Sequence, residues 1–261
     1  NYIHKTPRIK PLYDISGKVA IITGSTRGIG EAMARGLAEF GAKVVITSRK
    51  PENVKETTEA FEKEGFEVLG IPCHIGKSEQ QDMLIQQTIE KWGRIDILIN
   101  NAATNLSFGP MEQTEESAYD KIMEINVKGP NEMSKKAFPH LSKNGGSIIN
   151  VSSVEGLKPA YGMATYSMSK SAIAMLTQNQ AKEWGRYGIR ANTVCPGLVK
   201  TKLSTALWSN ESMLEHYTEN IPLQRMAQPD EMAGIAVFLA SDASSYVTGG
   251  VFTADGGYMI A

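Results

Sequence analysis

Tyr166 and Lys170 stand at the two ends of the pentapeptide YSMSK. In a helix, positions i and i+4 share one face about one turn apart. That spacing sets a phenol beside an ammonium. A free phenol has a pKa near 10, too high for ready proton exchange at neutral pH. A neighbouring cation favours the phenolate and lowers that value. A shift of about 3 units needs roughly 4 kcal/mol of differential interaction, a size reachable in a pocket of reduced dielectric. Tyr166 would then give a proton to a carbonyl oxygen in reduction and take one from an alcohol in oxidation. On spacing alone the pair reads more simply as a surface tyrosine and lysine. A third partner and a cofactor site must decide. Ser153 ends the strand-like run GSIINVSS, where ligands bind in open α/β sheets, and its hydroxyl can hydrogen-bond a substrate oxygen. Ser152 is its rival.

A second constellation lies near the N-terminus. TGSTRGIG follows the apolar run KVAIITG and opens a helical pattern, with glycines at Gly24, Gly28 and Gly30 around Ser25, Arg27 and Ile29. Glycine allows the tight turn and a close backbone approach to a pyrophosphate seated at the positive end of the helix. The next strand ends in Ser48, Arg49 and Lys50. Folds that use NAD commonly place an acid there for the ribose 2′-hydroxyl. Arg49 can instead form a bidentate, charge-assisted pair with a 2′-phosphate, and Arg27 adds a second cation. NADP(H) is therefore expected over NAD(H).

These sites need a scaffold. Short apolar strands (18–24, 43–49, 67–73, 95–102, 146–153, 189–197 and 249–257) alternate with helical patterns, among them 31–41, 51–65, 79–93, one long stretch 115–142, 166–185 and 229–241. That alternation predicts an α/β fold, a single-domain Rossmann-like doubly wound parallel sheet with helices on both faces. Residues 15–261 form the expected domain, 1–14 an extended arm, and the less periodic 200–228 a segment over the site. The 261 residues are 41% apolar and 21% charged, enough for a sizeable core. The formal charge of −1 argues against nucleic acid as a partner. No apolar run reaches the roughly 18 residues of a membrane span. Cys73 and Cys195 are far apart, the four histidines are scattered, and no metal spacing occurs, so no metal is expected.

TGSTRGIG, NNAA (100–103), Asn126, Ser153, YSMSK and PGLVKT (196–201) fall in the order found in the short-chain dehydrogenases/reductases, which the chain resembles over about residues 15–258. It most resembles the NADPH-dependent carbonyl and retinal reductases, and tropinone reductases are similar too. The resemblance implies that Tyr166 is the general acid, that Ser153 orients the carbonyl, and that Lys170 also holds the nicotinamide ribose. Ser153 rather than Ser152 has the family spacing to Tyr166. Asn126 matches an asparagine that holds a water relaying protons from Lys170. Asn101 and Ala102 would lie beside the cofactor, as would Pro196, Gly197, Val199 and Thr201. Where many relatives carry an aspartate near the adenine, this chain has His74-Ile75, so the Ile75 backbone is expected there instead.

Leu203, Leu207, Trp208 and Met213 resemble a mobile substrate loop suited to a lipophilic ketone or aldehyde, with Tyr161 and Met163 as further lining. The same residues would serve simply to cover the core. A homotetramer and a cytosolic address are expected by analogy. The chain ends Met259-Ile260-Ala261 rather than in a peroxisomal tripeptide, and the N-terminal arm leaves organelle import open. Two other enzymatic readings compete, a 3-oxoacyl-thioester reductase and an NADP-linked alcohol dehydrogenase. A catalytically idle dinucleotide-binding regulator is the reading from another class.

Overall fold

Seven short strands carry the architecture: Val19–Thr23 (β1), Lys43–Thr47 (β2), Val68–Gly70 (β3), Ile97–Asn100 (β4), Gly146–Val151 (β5), Ile189–Pro196 (β6) and Val251–Ala254 (β7). In the computed structural model, which describes residues 9–261 with the side chains at 206 and 213 outside that description, they form one sheet in the order β3-β2-β1-β4-β5-β6-β7. Every pairing is parallel. The strands are apolar throughout because both faces are covered. Ala20, Ile22, Val44, Ile46, Ile97 and Ile99 point to one core, shared with helices Gly28–Glu39 (α1), Pro51–Lys63 (α2) and Ala233–Ala240 (α9). Ile21, Val45, Leu98 and Ile148 point to the other, shared with Ser78–Trp92 (α3) and Gly129–Leu141 (α5). Successive residues of one strand thus serve opposite layers, as the pleat requires.

Three expectations change in detail. The long helix of 115–142 is three pieces: Glu116–Met123 (α4), a π-helical turn Glu124–Lys128, and α5. Pro130 has no N–H to give to the preceding turn, so a regular ladder cannot run through this point. The segment 200–228 contains two short helices, Thr205–Trp208 (α7) and Glu211–Glu219 (α8). Within the stretch expected to be an extended arm, Lys10–Tyr13 make a 3-10 turn, and residues 1–8 lie outside the described residues.

A row of polar side chains crosses the middle of the sheet near its carboxyl edge. Asn100, Asn150 and Thr193 are register neighbours on β4, β5 and β6. Asn100 Nδ2 donates to Asn150 Oδ1 at 2.8 Å and to Ser134 Oγ of α5 at 3.0 Å. Asn150 Nδ2 donates to Thr177 Oγ1 and Gln180 Oε1, both at 2.8 Å, on the helix Ala164–Trp184 (α6). Thr193 Oγ1 donates to the same Thr177 hydroxyl at 2.8 Å. These bonds fix how α6 lies on the sheet, because a slide of either element would strand buried donors. Asn150→Ala should therefore lower the unfolding free energy by about 3 kcal/mol, from three lost partners at about 1 kcal/mol each. Urea unfolding followed by far-ultraviolet circular dichroism measures it.

Candidate active site

The turn after β1 is built for a backbone approach. Gly24 and Gly28 have φ of +69° and +57°, the left-handed region that glycine tolerates. A Cβ on Gly30 would stand 2.4 Å from both the Gly24 carbonyl oxygen and Asn101 Nδ2, so only glycine fits there. Asn101 braces the turn, its Nδ2 donating to the carbonyls of Thr23 (2.9 Å) and Gly24 (3.2 Å). Thr23 Oγ1 accepts the N–H groups of Asn101 and Ala102, each at 3.0 Å. Asn101 and Ala102 thus shape the glycine turn from below. No side chain caps the N-terminus of α1, which leaves its first N–H groups open to an anion.

The turn is tied to the end of β2. Thr47 donates its N–H to Ser25 Oγ at 2.9 Å, and Ser25 donates its own to the Thr47 carbonyl at 3.0 Å. Arg27 and Arg49 each lie two residues beyond this double link. Both are exposed, and among the described residues neither takes part in an ion pair. Lys50 pairs with Glu52 at 3.9 Å. A cradle without Cβ atoms, an uncapped helix start and two uncommitted guanidiniums fit a phosphorylated dinucleotide. On the opposite side of the turn, Thr201 Cγ2 would meet a Cβ on Gly28 at 3.3 Å, so the PGLVKT segment closes over it.

That segment leaves β6 at Pro196. Gly197 donates its N–H to the Ala254 carbonyl at 3.0 Å and packs so close to Asp255 that a Cβ would stand 2.8 Å from its Cα. Val199 is buried, its backbone bridged in parallel to Ala227. Thr201 anchors the following helix by accepting Trp208 Nε1–H at its carbonyl, 2.9 Å away. Ile75 is buried with its carbonyl accepting from Gln81, and its N–H has no partner among the described residues. His74 Nδ1 accepts the Gly76 N–H at 3.1 Å, a packed structural histidine.

The reactive groups converge where β5 gives way to α6. Ser153 caps a 3-10 turn, Val154–Gly156, its Oγ accepting the Glu155 N–H at 3.2 Å, and its hydroxyl stands on the Tyr166 side, where it favours the phenolate. Ser152 faces the other way, donating from Oγ to the Lys170 carbonyl at 2.7 Å. The backbone thus separates the rivals: Ser153 meets Tyr166, and Ser152 fastens α6 to β5. Lys170 is 3% exposed. Its Nζ donates to the Val151 carbonyl at 2.9 Å and lies 5.6 Å from the centre of the Tyr166 ring. Burial brings this ammonium down to about 8. Burial also pushes the Tyr166 phenol up to about 12, against the hydrogen bond from Ser153, and the Glu155 charge adds to the rise. The sequence expectation joins the lysine to an oxidised nicotinamide in lowering the phenol; in the protein by itself the shift runs upward. Desolvation is the larger effect, and the ammonium is directed at a carbonyl.

Asn126 sits in the π-helical turn, buried. Its Nδ2 donates to the Thr104 carbonyl (2.9 Å) and to Ser169 Oγ (3.0 Å), and its Oδ1 accepts the Thr104 N–H (2.8 Å). Ser169 in turn donates to the Tyr166 carbonyl at 2.7 Å, which links Asn126 to the reactive turn of α6. Of the expected pocket lining, Leu207 and Trp208 are half-buried on α7, Met163 is half-buried just before α6, and Leu203 is exposed. Tyr161 is 92% exposed and stands in solvent, because the turn at Gly162 (φ +75°) carries the chain outward before α6. The Met213 side chain lies outside the described residues. Sequence reading missed Tyr217 and Tyr258, whose rings stack at 5.0 Å, and the buried Glu155 between Ser153 and α6.

A family model described as enoyl-(acyl carrier protein) reductase matches residues 24–259. The chain is 42% identical over 244 residues to dehydrogenase/reductase SDR family member 4 of Oryctolagus cuniculus, covering 93% of this chain and 94% of that protein. The chain belongs to the short-chain dehydrogenase/reductase family. It is also 44% identical over 241 residues to tropinone reductase-like 3 of Erythroxylum coca, 92% of this chain and 93% of that one. A gluconate 5-dehydrogenase from Burkholderia cenocepacia, solved in complex with NADP and tartrate, superposes with a TM-score of 0.92 at 35% identity, over 96% of this chain and 98% of that one. For a member of this family the two adjacent serines make distinct expectations. Ser153→Ala should lower kcat by about 100-fold, the scale of one lost donor at a reacting oxygen. Ser152→Ala should chiefly cost about 1 kcal/mol of stability. Turnover and urea unfolding of both variants separate the roles.

The buried ammonium also makes stability depend on pH. Below about 8, Lys170 is charged in both folded and unfolded chains, and its burial cost is fully present. Between about 8 and the ordinary value of 10.5 the unfolded chain holds the extra proton, so stability rises with pH. The unfolding free energy of the wild type should therefore climb relative to Lys170→Met across that window. A flat difference would place the ammonium in water.

Proposed function

We propose that this protein is an NADPH-dependent reductase of small to medium lipophilic ketones and aldehydes. The observation that carries the reading is the convergence of Ser153, a half-buried Tyr166 and the buried Lys170, whose Nζ stands 5.6 Å from the centre of the phenol ring. A phenol held at about 12 keeps its proton at neutral pH, as an acid for carbonyl reduction must. The uncommitted Arg27 and Arg49 beside the glycine turn support NADP(H) over NAD(H), as does the NADP bound to the Burkholderia relative.

When bound, NADPH supplies the hydride. Gly24, Gly28, Gly30 and the open start of α1 would hold its pyrophosphate, and Arg49 with Arg27 its 2′-phosphate. Ser153 donates a hydrogen bond to the substrate oxygen and fixes its direction. Tyr166 Oη delivers the proton to that oxygen as charge develops there. Lys170 would help hold the nicotinamide ribose, and its charge beside the Tyr166 ring steadies the phenolate left behind. Pro130 offers no N–H, so the Asn126 carbonyl accepts no i+4 bond. It remains an acceptor for a water that returns a proton to Lys170. Exposed Met168 and Met175 on α6 support the homotetramer, and a cytosolic address belongs to the same proposal.

Initial rates of NADPH and NADH oxidation over aromatic ketones, α-diketones, retinal, steroids and a 3-oxoacyl thioester test the reading. A strong NADPH preference on lipophilic carbonyls is the expected result. Activity confined to the thioester would move the protein to acyl-thioester chemistry, and silence would favour an idle binder. Tyr166→Phe should abolish turnover while NADPH still binds; a rate near that of the wild type would remove Tyr166 as the acid. Arg49→Asp should cut the NADPH-over-NADH preference by at least about tenfold, the worth of one charge-assisted pair. An unchanged ratio would mean that the 2′-phosphate is read elsewhere.

A further inference from the structure

Gln81 is an amide on the buried face of α3, which it shares with Leu84, Ile85 and Thr88. It is 2% exposed. A side-chain amide taken out of water is costly unless its donors are used. Here Nε2 donates to the Ile75 carbonyl at 2.5 Å and to the carbonyl of Gly129, the first residue of α5, at 3.4 Å. The preceding Gln80 holds the same loop, its Oε1 accepting the His74 N–H at 2.7 Å. A Cβ on Gly129 would stand 3.1 Å from Ile75 Cγ1 and 3.3 Å from its carbonyl oxygen. Close packing therefore leaves Ile75 little room toward α5, and the Gln81 amide keeps it from moving away.

The loop so held is a β-turn, His74–Lys77, closed by the Lys77 N–H on the His74 carbonyl at 2.9 Å. The N–H groups around it are taken. That of Cys73 goes to the Ser48 carbonyl (2.9 Å), that of His74 to Gln80, and that of Gly76 to His74 Nδ1 (3.1 Å). Ile75 is the exception. It is 7% exposed, and its N–H has no partner among the described residues. Buried N–H groups are nearly always paired, so one left over marks a place for an acceptor from outside. The Cys73 bond ties this place to Ser48, the residue before Arg49, while Thr47 is tied to Ser25 of the glycine turn. The free N–H thus stands at the carboxyl edge of the sheet, where open α/β sheets take ligands, on the Arg49 side of the glycine turn. With the pyrophosphate at the glycines and the 2′-phosphate at Arg49, the part of the cofactor left for it is the purine, whose ring nitrogens are acceptors.

We propose that Gln81, with Gln80, is a positioning residue for the purine of the cofactor, holding the His74–Lys77 turn so that the Ile75 N–H meets a ring nitrogen. The proposal rests on the dinucleotide reading above and adds to it how the base is held. Gln81 acts only through the Ile75 peptide. Purine and 2′-phosphate are then bound independently, the first through Ile75 and the second through Arg49.

Dissociation constants of three ligands test it, read by fluorescence titration: NADPH, NADH, which lacks the 2′-phosphate, and reduced nicotinamide mononucleotide, which lacks the adenosine half. Gln81→Met fills the same space without a donor. It should weaken NADPH and NADH by the same factor, about tenfold, and leave the mononucleotide unchanged. Gln80→Ala, a milder change, should show the same pattern at about threefold. Arg49→Asp should weaken NADPH far more than NADH. In turnover with NADPH the Gln81→Met loss should fall on KM rather than kcat. Thermal unfolding of each variant checks that it folds. Unchanged dinucleotide binding in Gln81→Met, or a loss shared equally by the mononucleotide, overturns the proposal and leaves the dinucleotide reading intact. If the wild type binds NADH as tightly as NADPH, the cofactor preference fails, and the loss common to both dinucleotides still judges Gln81. If it binds neither, the dinucleotide reading fails and the proposal falls with it.

Discussion

The bond from Lys170 Nζ to the Val151 carbonyl is the contact on which the reactive end depends. An ammonium taken almost wholly out of water costs several kcal/mol unless strong acceptors meet it. Here the acceptor is the last carbonyl of β5, so the helix that brings the lysine must cross the strand at one height. Ser152 reinforces the same crossing by donating to the Lys170 carbonyl. Gly156 permits it, since any Cβ there would collide with the Lys170 backbone. With Lys170 fixed, Tyr166 one turn earlier is fixed too. Ser153, the residue after Ser152, then has no choice but to meet the phenol.

Behind this crossing stands the row Asn100–Asn150–Thr193 and its bonds to Ser134, Thr177 and Gln180. Hydrophobic burial holds the layers together but is indifferent to sliding. Directional bonds buried between the layers are not, because each has one geometry and no water to replace it. The polar row therefore sets register between sheet and helix, and the apolar strands supply the cohesion. The π-helical turn adds the last element, setting the Asn126 amide against Thr104 and Ser169.

Much of this was legible in the sequence. The apolar runs gave the strands within a few residues, and all-parallel pairing followed from continuous apolarity with intervening helices. The glycine turn was legible because its constraints act locally, on φ and on the absence of a Cβ. The long helix of 115–142 hid its break, since a single π-helical turn shifts the polar and apolar rhythm by only about one residue and Pro130 alone marks the place. The state of Tyr166 was not legible. The i, i+4 spacing gives proximity to Lys170, but burial decides the sign of the shift, and burial comes from elements distant in sequence. Tyr217 and Tyr258 were invisible for the same reason: their stacking depends on how α8 meets the C-terminal turn. Tyr161 shows the converse, a residue near Tyr166 in sequence that a single left-handed glycine turns into solvent.

The formal charge of −1 also conceals how charge is distributed. At the glycine turn two arginines stand without partners, and beyond Ser153 a buried carboxylate stands without one. The exposed arginines are hydrated in the protein alone and gain a partner once a complementary ligand group arrives. On the proposed reading, the anionic tail of the cofactor belongs with Arg27 and Arg49. Net charge bears on solubility and diffusion, but the order in which uncommitted charges fall along the cleft bears on orientation, and orientation is what lets one phenol serve as the acid.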